Sequence, residues 1–276
     1  MSSSAAFLLP DLERIALAAG REVMAVYDTD FAVEAKADAS AVTAADTRAE
    51  AVILEGLSRL SPDIPVIAEE QAAAGHLPQT GSLFYLVDPL DGTREFVSRN
   101  GEFTVNIALI EDGVPVAGVL YAPALGCLYY GAIGAGAFRR DTSDPDATAQ
   151  AIHVRLAPEG GLAAVGSRSH GSAETAAWLG RLPVSSLVSA GSSLKFGLVA
   201  EGAADLYPRF SRTMEWDTAA GDAVLRAAGG IVLGPDGAPL RYGKARQTRD
   251  APYANPSFVA YGDRMLAARL AAAPAG

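Results

Sequence analysis

The acids of this chain are placed where they could do chemistry together. Glu69-Glu70 close one short apolar run, and Asp88 closes the next, with Asp91 following Pro89-Leu90. Asp88-Pro89-Leu90-Asp91-Gly92-Thr93 packs two carboxylates and a hydroxyl into a turn that Pro89 and Gly92 make tight. Far downstream, Trp216-Asp217-Thr218-Ala219-Ala220-Gly221-Asp222 opens a helix with another acid. Carboxylates at the carboxyl ends of neighbouring strands converge on one sheet edge, where α/β folds usually place ligands. Ionised acids so gathered repel one another, and a cation relieves the repulsion. Oxygen donors, one cysteine (Cys127) and three histidines (His76, His153, His170) select Mg²⁺, with Mn²⁺ as a substitute, over zinc. Divalent ions beside a helix N-terminus make a phosphate site, because the metals bridge its oxygens and backbone N–H groups point at it. Each segment alone has a plainer account: Asp217 as a helix cap, Glu69-Glu70 as a solvated strand end, the Asp88 turn as an Asx turn. Jointly they read as Mg²⁺-dependent phosphate chemistry.

Those acids need elements to hold them. Apolar residues at three- and four-residue spacing predict helices over 10–27 and 46–59. Short β-rich runs predict strands over 64–68, 83–87, 103–110, 114–121 and 128–132, antiparallel and joined by tight turns such as Glu111-Asp112-Gly113. The polar stretch 141–149 reads as a crossover between two halves and carries no motif. Beyond it, strands are expected over 163–165, 184–188, 204–207, 231–233 and 258–260, and helices over 173–180, 194–201 and 219–228. The whole, residues 1–276, reads as a single domain with an N-terminal α+β half (1–145) and a C-terminal α/β half (146–276).

Composition narrows the function classes. The 276 residues are 50% hydrophobic and 20% charged, ordinary values for a globular chain. The net charge of −10 argues against a nucleic-acid partner held by a basic face, and a metal would supply the charge that draws a polyanionic substrate. A lone cysteine excludes a disulfide framework, no apolar run suits a transmembrane segment, and a cytoplasmic location fits best. Peripheral association with the inner membrane is left open. The abundance of alanine reads as compositional bias.

The acid motifs, in order, resemble the two signatures of the inositol monophosphatase superfamily, and Asp38-Ala39-Ser40-Ala41-Val42-Thr43-Ala44-Ala45-Asp46 resembles its third. Thr93-Arg94-Glu95-Phe96, Gly101-Glu102-Phe103-Thr104-Val105-Asn106, Gly191-Ser192-Ser193-Leu194-Lys195-Phe196 and Leu206-Tyr207-Pro208-Arg209-Phe210 are similar to its bisphosphate nucleotidase branch. Arg94 stands where that branch often carries Lys, which keeps the charge and alters its geometry. The resemblance implies a layered αβαβα sandwich and removal of the 3′-phosphate from adenosine 3′,5′-bisphosphate, with 3′-phosphoadenylyl sulfate as a second substrate. It also implies lithium sensitivity.

By motif, Glu69, Asp88, Asp91, Asp217 and the Leu90 carbonyl would ligate more than one Mg²⁺. Asp46 and Thr93 would hold and polarise the attacking water, with Glu70 close by. Gly92 and Thr93 would offer backbone N–H groups to phosphate, and His170, Ser192, Lys195 and Arg209 would grip the nucleotide. Glu69, Leu90, Asp91 and Asp217 would share in substrate binding. The turn before Lys195 is expected to offer unengaged N–H groups to an anion. A small polyol-phosphate phosphatase and an inactive Mg²⁺/nucleotide-binding module are the competing readings. A homodimer is left open.

Overall fold

The computed structural model describes residues 3–29, 35–168, 171–248 and 250–272. Two long helices come first, α1 (Ser3–Tyr27) and α2 (Ala35–Leu60). Both start earlier than the apolar spacing predicts. Pro10 lies inside α1, although proline most often marks a first helical position. The first half of α2 is rich in alanine, the strongest helix former, so alanine carries structure here and is not compositional bias alone.

The chain then builds β1 (Val66–Ala68), α3 (Glu69–Ala73), β2 (Leu83–Asp91), α4 (Thr93–Val97), β3 (Thr104–Glu111), β4 (Val114–Ala122), β5 (Cys127–Ala132), β6 (Gly136–Asp141) and β7 (Gln150–Ile152). These strands form one sheet in sequence order. β1 runs parallel to β2, against the expectation of antiparallel pairing throughout, and the later pairs are antiparallel. β6 and β7 are absent from the sequence reading, because strands near a sheet edge bury one face at most and show no continuous apolar run. Since β7 belongs to this sheet, the chain leaves it after Ile152.

The remainder forms β8 (Leu162–Ser167), α5 (Ala173–Leu179), β9 (Val184–Ala190), α6 (Leu194–Ala200), β10 (Leu206–Arg209), α7 (Glu215–Ala227), β11 (Ile231–Leu233), β12 (Phe258–Tyr261) and α8 (Arg264–Ala272). The second sheet has the order β11-β12-β10-β8-β9, with β10, β8 and β9 parallel and β12 antiparallel to both neighbours.

Three apolar clusters fix the layering. One joins α1 and α2 to the outer face of the first sheet through Leu12, Val23, Ile53, Val87 and Ile107. A second lies between the sheets and takes in α6 and α7 through Phe196, Val199, Ala220 and Val224. The third covers the far face of the second sheet with α5 and α8 through Leu179 and Leu266. The result is the layered αβαβα sandwich. Among the described residues no helix is long and apolar enough to cross a membrane.

Candidate active site

β2 is the central positioning element. Its run from Phe84 to Leu90 is buried, as expected for an inner strand flanked by β1 and β3. The strand does not end at Asp88 but continues to Asp91, with its register against β3 shifted between those two residues. Pro89 has no N–H to give a ladder and sits at that irregularity. The Leu90 N–H donates to Asp88 Oδ1 at 3.0 Å, which ties the turn to the acid. Gly92 then takes φ +97°, a conformation glycine tolerates best, and turns the chain into α4 so that Thr93 is exposed at the cleft.

The parallel register of β1 on β2 sets Ala68 opposite Val87, so the next residues, Glu69 and Asp88, emerge side by side. Their carboxyl groups are close enough to act on each other's titration. Glu69-Glu70 open the five-residue α3 rather than ending a strand. Glu50, one turn after Asp46 on α2, holds α3 in place: its carboxylate accepts the N–H groups of Glu70 (2.9 Å) and Gln71 (3.1 Å). Asp217 lies in the first turn of α7, and its Oδ2 accepts the Met214 N–H at 2.8 Å. It therefore does serve the helix end as well as the cleft.

A cleft of about 310 Å³ is lined by Glu69, Asp88, Leu90, Asp91, Gly92, Thr93, Ser192, Lys195, Arg209 and Asp217, all named from the sequence. Asp46 and Glu70 do not line it. Asp46 is buried, with Glu70 and Glu50 as charged neighbours. His170 lies outside the described residues.

Burial, then repulsion among the acids, raises Asp46 to about 8 and Glu69 to about 7. Burial is again the largest cause for Asp88 and Asp217, both pushed well up, with neighbouring acids adding to it. Asp91 is raised by burial too, while Lys195 and Ser193 pull the other way. Such a group of acids holds protons near neutral pH unless a cation takes their place. Among the described residues no three acids already close on one point as a finished cation cage.

The opposite wall differs from expectation in two respects. Lys195 is almost fully buried in the short α6; its Nζ donates to the Ala190 carbonyl at 3.3 Å and to the Ser192 carbonyl, 5.3 Å from the Tyr207 ring centroid. Burial lowers its pKa to about 8. The Gly191 N–H, expected to be unengaged, donates to Glu102 Oε2 at 2.8 Å, and Arg168 grips the same carboxylate with two bonds of 2.8 Å. A Cβ on Gly191 would lie 2.5 Å from Glu95 Cγ, so only glycine fits there. The sequence reading missed Ser193, Glu50, Arg212 and Asn106. Glu50 was within reach, four residues after Asp46 on a helix. Arg212 lines the cleft 3.4 Å from Asp250, and no local signal marks it.

Five alternating layers opening on an acid-lined cleft define the class, the layered α/β phosphatases. A sequence profile described as the inositol monophosphatase family matches residues 8–272. The chain belongs to the inositol monophosphatase family. It is 47% identical over 253 residues to the 3′(2′),5′-bisphosphate nucleotidase CysQ of Salmonella typhimurium, covering 91% of this chain and 98% of that one. The Haemophilus influenzae protein of the same name is 33% identical, with 93% of each chain covered. Among solved structures, CysQ from Bacteroides thetaiotaomicron superposes with a TM-score of 0.79 at 36% identity, over 95% of this chain and 99% of that one. An inositol monophosphatase from Anabaena gives 0.74 at 28% identity, with coverage of 97% and 96%.

Proposed function

We propose that the chain is a Mg²⁺-dependent 3′(2′),5′-bisphosphate nucleotidase that converts adenosine 3′,5′-bisphosphate to AMP and phosphate. It would accept 3′-phosphoadenylyl sulfate as well. The observation that carries this reading is on the cleft wall beside the acids: Arg209 Nε and Ser192 Oγ are buried there without a hydrogen-bond partner. Buried polar groups are nearly always satisfied, and this pair, a cationic donor and a hydroxyl, suits an anion. The acids serve one phosphate and this wall a second, which a singly phosphorylated polyol does not possess. The sequence similarity to the bisphosphate nucleotidases points the same way.

The donor set fits Mg²⁺, since Glu69, Asp88, Asp91, Asp217 and the Leu90 carbonyl offer only hard oxygens. When bound, the cations neutralise phosphate charge and ease attack by water. The chain's own residues supply position and proton transfer. Thr93, exposed at the start of α4, would orient the water. Asp46, set behind the cleft lining, would take its proton through Thr93, with Glu70 alongside. The backbone N–H groups of Gly92 and Thr93 would hold the reacting phosphate, and Arg209 and Ser192 the other one. In-line displacement needs little beyond this positioning.

A phosphate-release panel with adenosine 3′,5′-bisphosphate, inositol 1-phosphate and fructose 1,6-bisphosphate, with and without Mg²⁺, tests the reading. The nucleotide should be the best substrate and Mg²⁺ indispensable; preference for inositol 1-phosphate would overturn it. Arg209→Ala should cost about 1.5–3 kcal/mol in kcat/KM for the bisphosphate. A singly phosphorylated substrate should lose far less. Equal losses would assign Arg209 a general supporting role.

A further inference from the structure

Serine at a helix N-cap normally gives its side-chain oxygen to that helix's own N–H groups. Ser193 caps α6 and does not: no side-chain capping bond is made, although the residue is 2% exposed. Its hydroxyl faces the acids instead. Ser193 Oγ lies 2.6 Å from Asp91 Oδ2 and also within hydrogen-bonding distance of the Asp217 carbonyl, while Asn106 Nδ2 donates to it at 3.1 Å. One oxygen thus joins the end of β2, the first turn of α7 and β3, two strands of the first sheet and a helix of the layer between the sheets.

The valence of a hydroxyl makes this arrangement directional. It has one proton and two lone pairs. The Asn106 amide occupies a lone pair, and the two acceptors compete for the proton, so the hydroxyl cannot rotate without losing a partner. Asn106 is itself fully buried on β3, directly opposite Asp88 across the strand pair. The turn that carries Ser193 is fixed from behind by the Gly191 N–H on Glu102.

We propose that Ser193 is a positioning residue for the cation site: its hydroxyl holds Asp91 Oδ2 and so fixes the orientation of that carboxylate at the cleft, where Asp91 stands with Asp217. The proposal rests on Asp91 being a cation ligand. Partners that orient a ligating carboxylate change metal affinity by roughly 10–100-fold when removed.

Isothermal titration of Mg²⁺ and Mn²⁺ into the metal-free protein tests this without relying on turnover. Ser193→Ala should bind about tenfold or more weakly, and its Mg²⁺ requirement for activity should rise by a similar factor. Ser193→Cys keeps the side chain's bulk with a much poorer hydrogen-bonding group, and should show the same loss in a protein that still folds. Melting of the metal-free proteins separates the alternatives. A lower melting temperature with unchanged cation affinity in both variants means that Ser193 only supports the fold, and overturns the proposal. Absence of any divalent binding by the unaltered protein would overturn the functional reading and this proposal together.

Discussion

Asp91 concentrates the conflict that the site is built around. It is a half-buried acid whose carboxyl is raised by desolvation, has Glu95 as a further source of repulsion, and is offset by Lys195 and the Ser193 hydroxyl. An amide at this position keeps the shape and an acceptor for Ser193 but removes the charge that a cation needs. Asp91→Asn should therefore abolish turnover while leaving the circular dichroism spectrum and metal-free melting temperature unchanged or slightly raised. Retention of more than about a tenth of the rate at saturating Mg²⁺, about 1.4 kcal/mol of barrier, would rule out a ligand role. Lys195 shows how neighbours revise a residue's part. From its motif it grips a nucleotide; in the fold its ammonium is committed to two carbonyls and an aromatic face, so its charge acts on Asp91 from within the wall.

At the scale of elements, the junction between β2 and α4 decides where Thr93 stands. Gly92 holds φ +97° and ψ 49°, and a Cβ there would also approach Ser192 Cβ, Glu102 O and Glu95 Oε2 at 3.2–3.3 Å. Gly92→Ala should cost about 1–3 kcal/mol of stability, as a residue forced into a sparsely populated backbone region does. It should also lower kcat, because relief of the strain moves Thr93. Gly75, at φ +83° with nothing within 4 Å of a Cβ, provides the control. Gly75→Ala should lower the melting temperature and leave kcat alone. Full kcat in Gly92→Ala, assayed well below its melting point, would show that the junction does not set the site. The same scale explains the missing elements of the sequence reading. α3 and α4 have five residues each, too few to display a helical period, and are held by Glu50 and Gly92 rather than by propensity.

For the whole molecule, the acids at the cleft and behind it make stability depend on pH with a definite sign. Asp46 and Glu69 titrate at about 8 and about 7 in the fold, against 3.8 and 4.5 as ordinary values. Between those limits the folded chain binds more protons than the unfolded one, so stability is full below the lower values and is lost as pH rises through the upper ones. Glu102 works in the opposite direction: the Arg168 hydrogen bond holds it low, so its contribution is lost as pH falls. The metal-free protein should therefore melt at progressively lower temperature from about pH 5.5 to about pH 8.5. The gain in melting temperature on adding Mg²⁺ should widen over the same interval, since the cation replaces protons at the acids. A metal-free melting temperature that is flat or rising across this window would refute the account.

Residue types and local spacing were enough to find the acids, because Asp88 to Thr93 is one contiguous turn and its chemistry needs no partner to be legible. They also revealed the long helices and the inner strands, whose burial imposes a period on the sequence. β6, β7 and the five-residue helices left no such trace. Nor could the sequence place Glu69 beside Asp88, which depends on the parallel register of β1, or show that Lys195 and the Gly191 N–H were already engaged. Ser193 lay within a motif that had been read, yet its role could not be. A hydroxyl has no preferred function of its own; it acquires one only when the fold brings Asp91, Asn106 and the carbonyl of Asp217 from distant parts of the chain to a single oxygen.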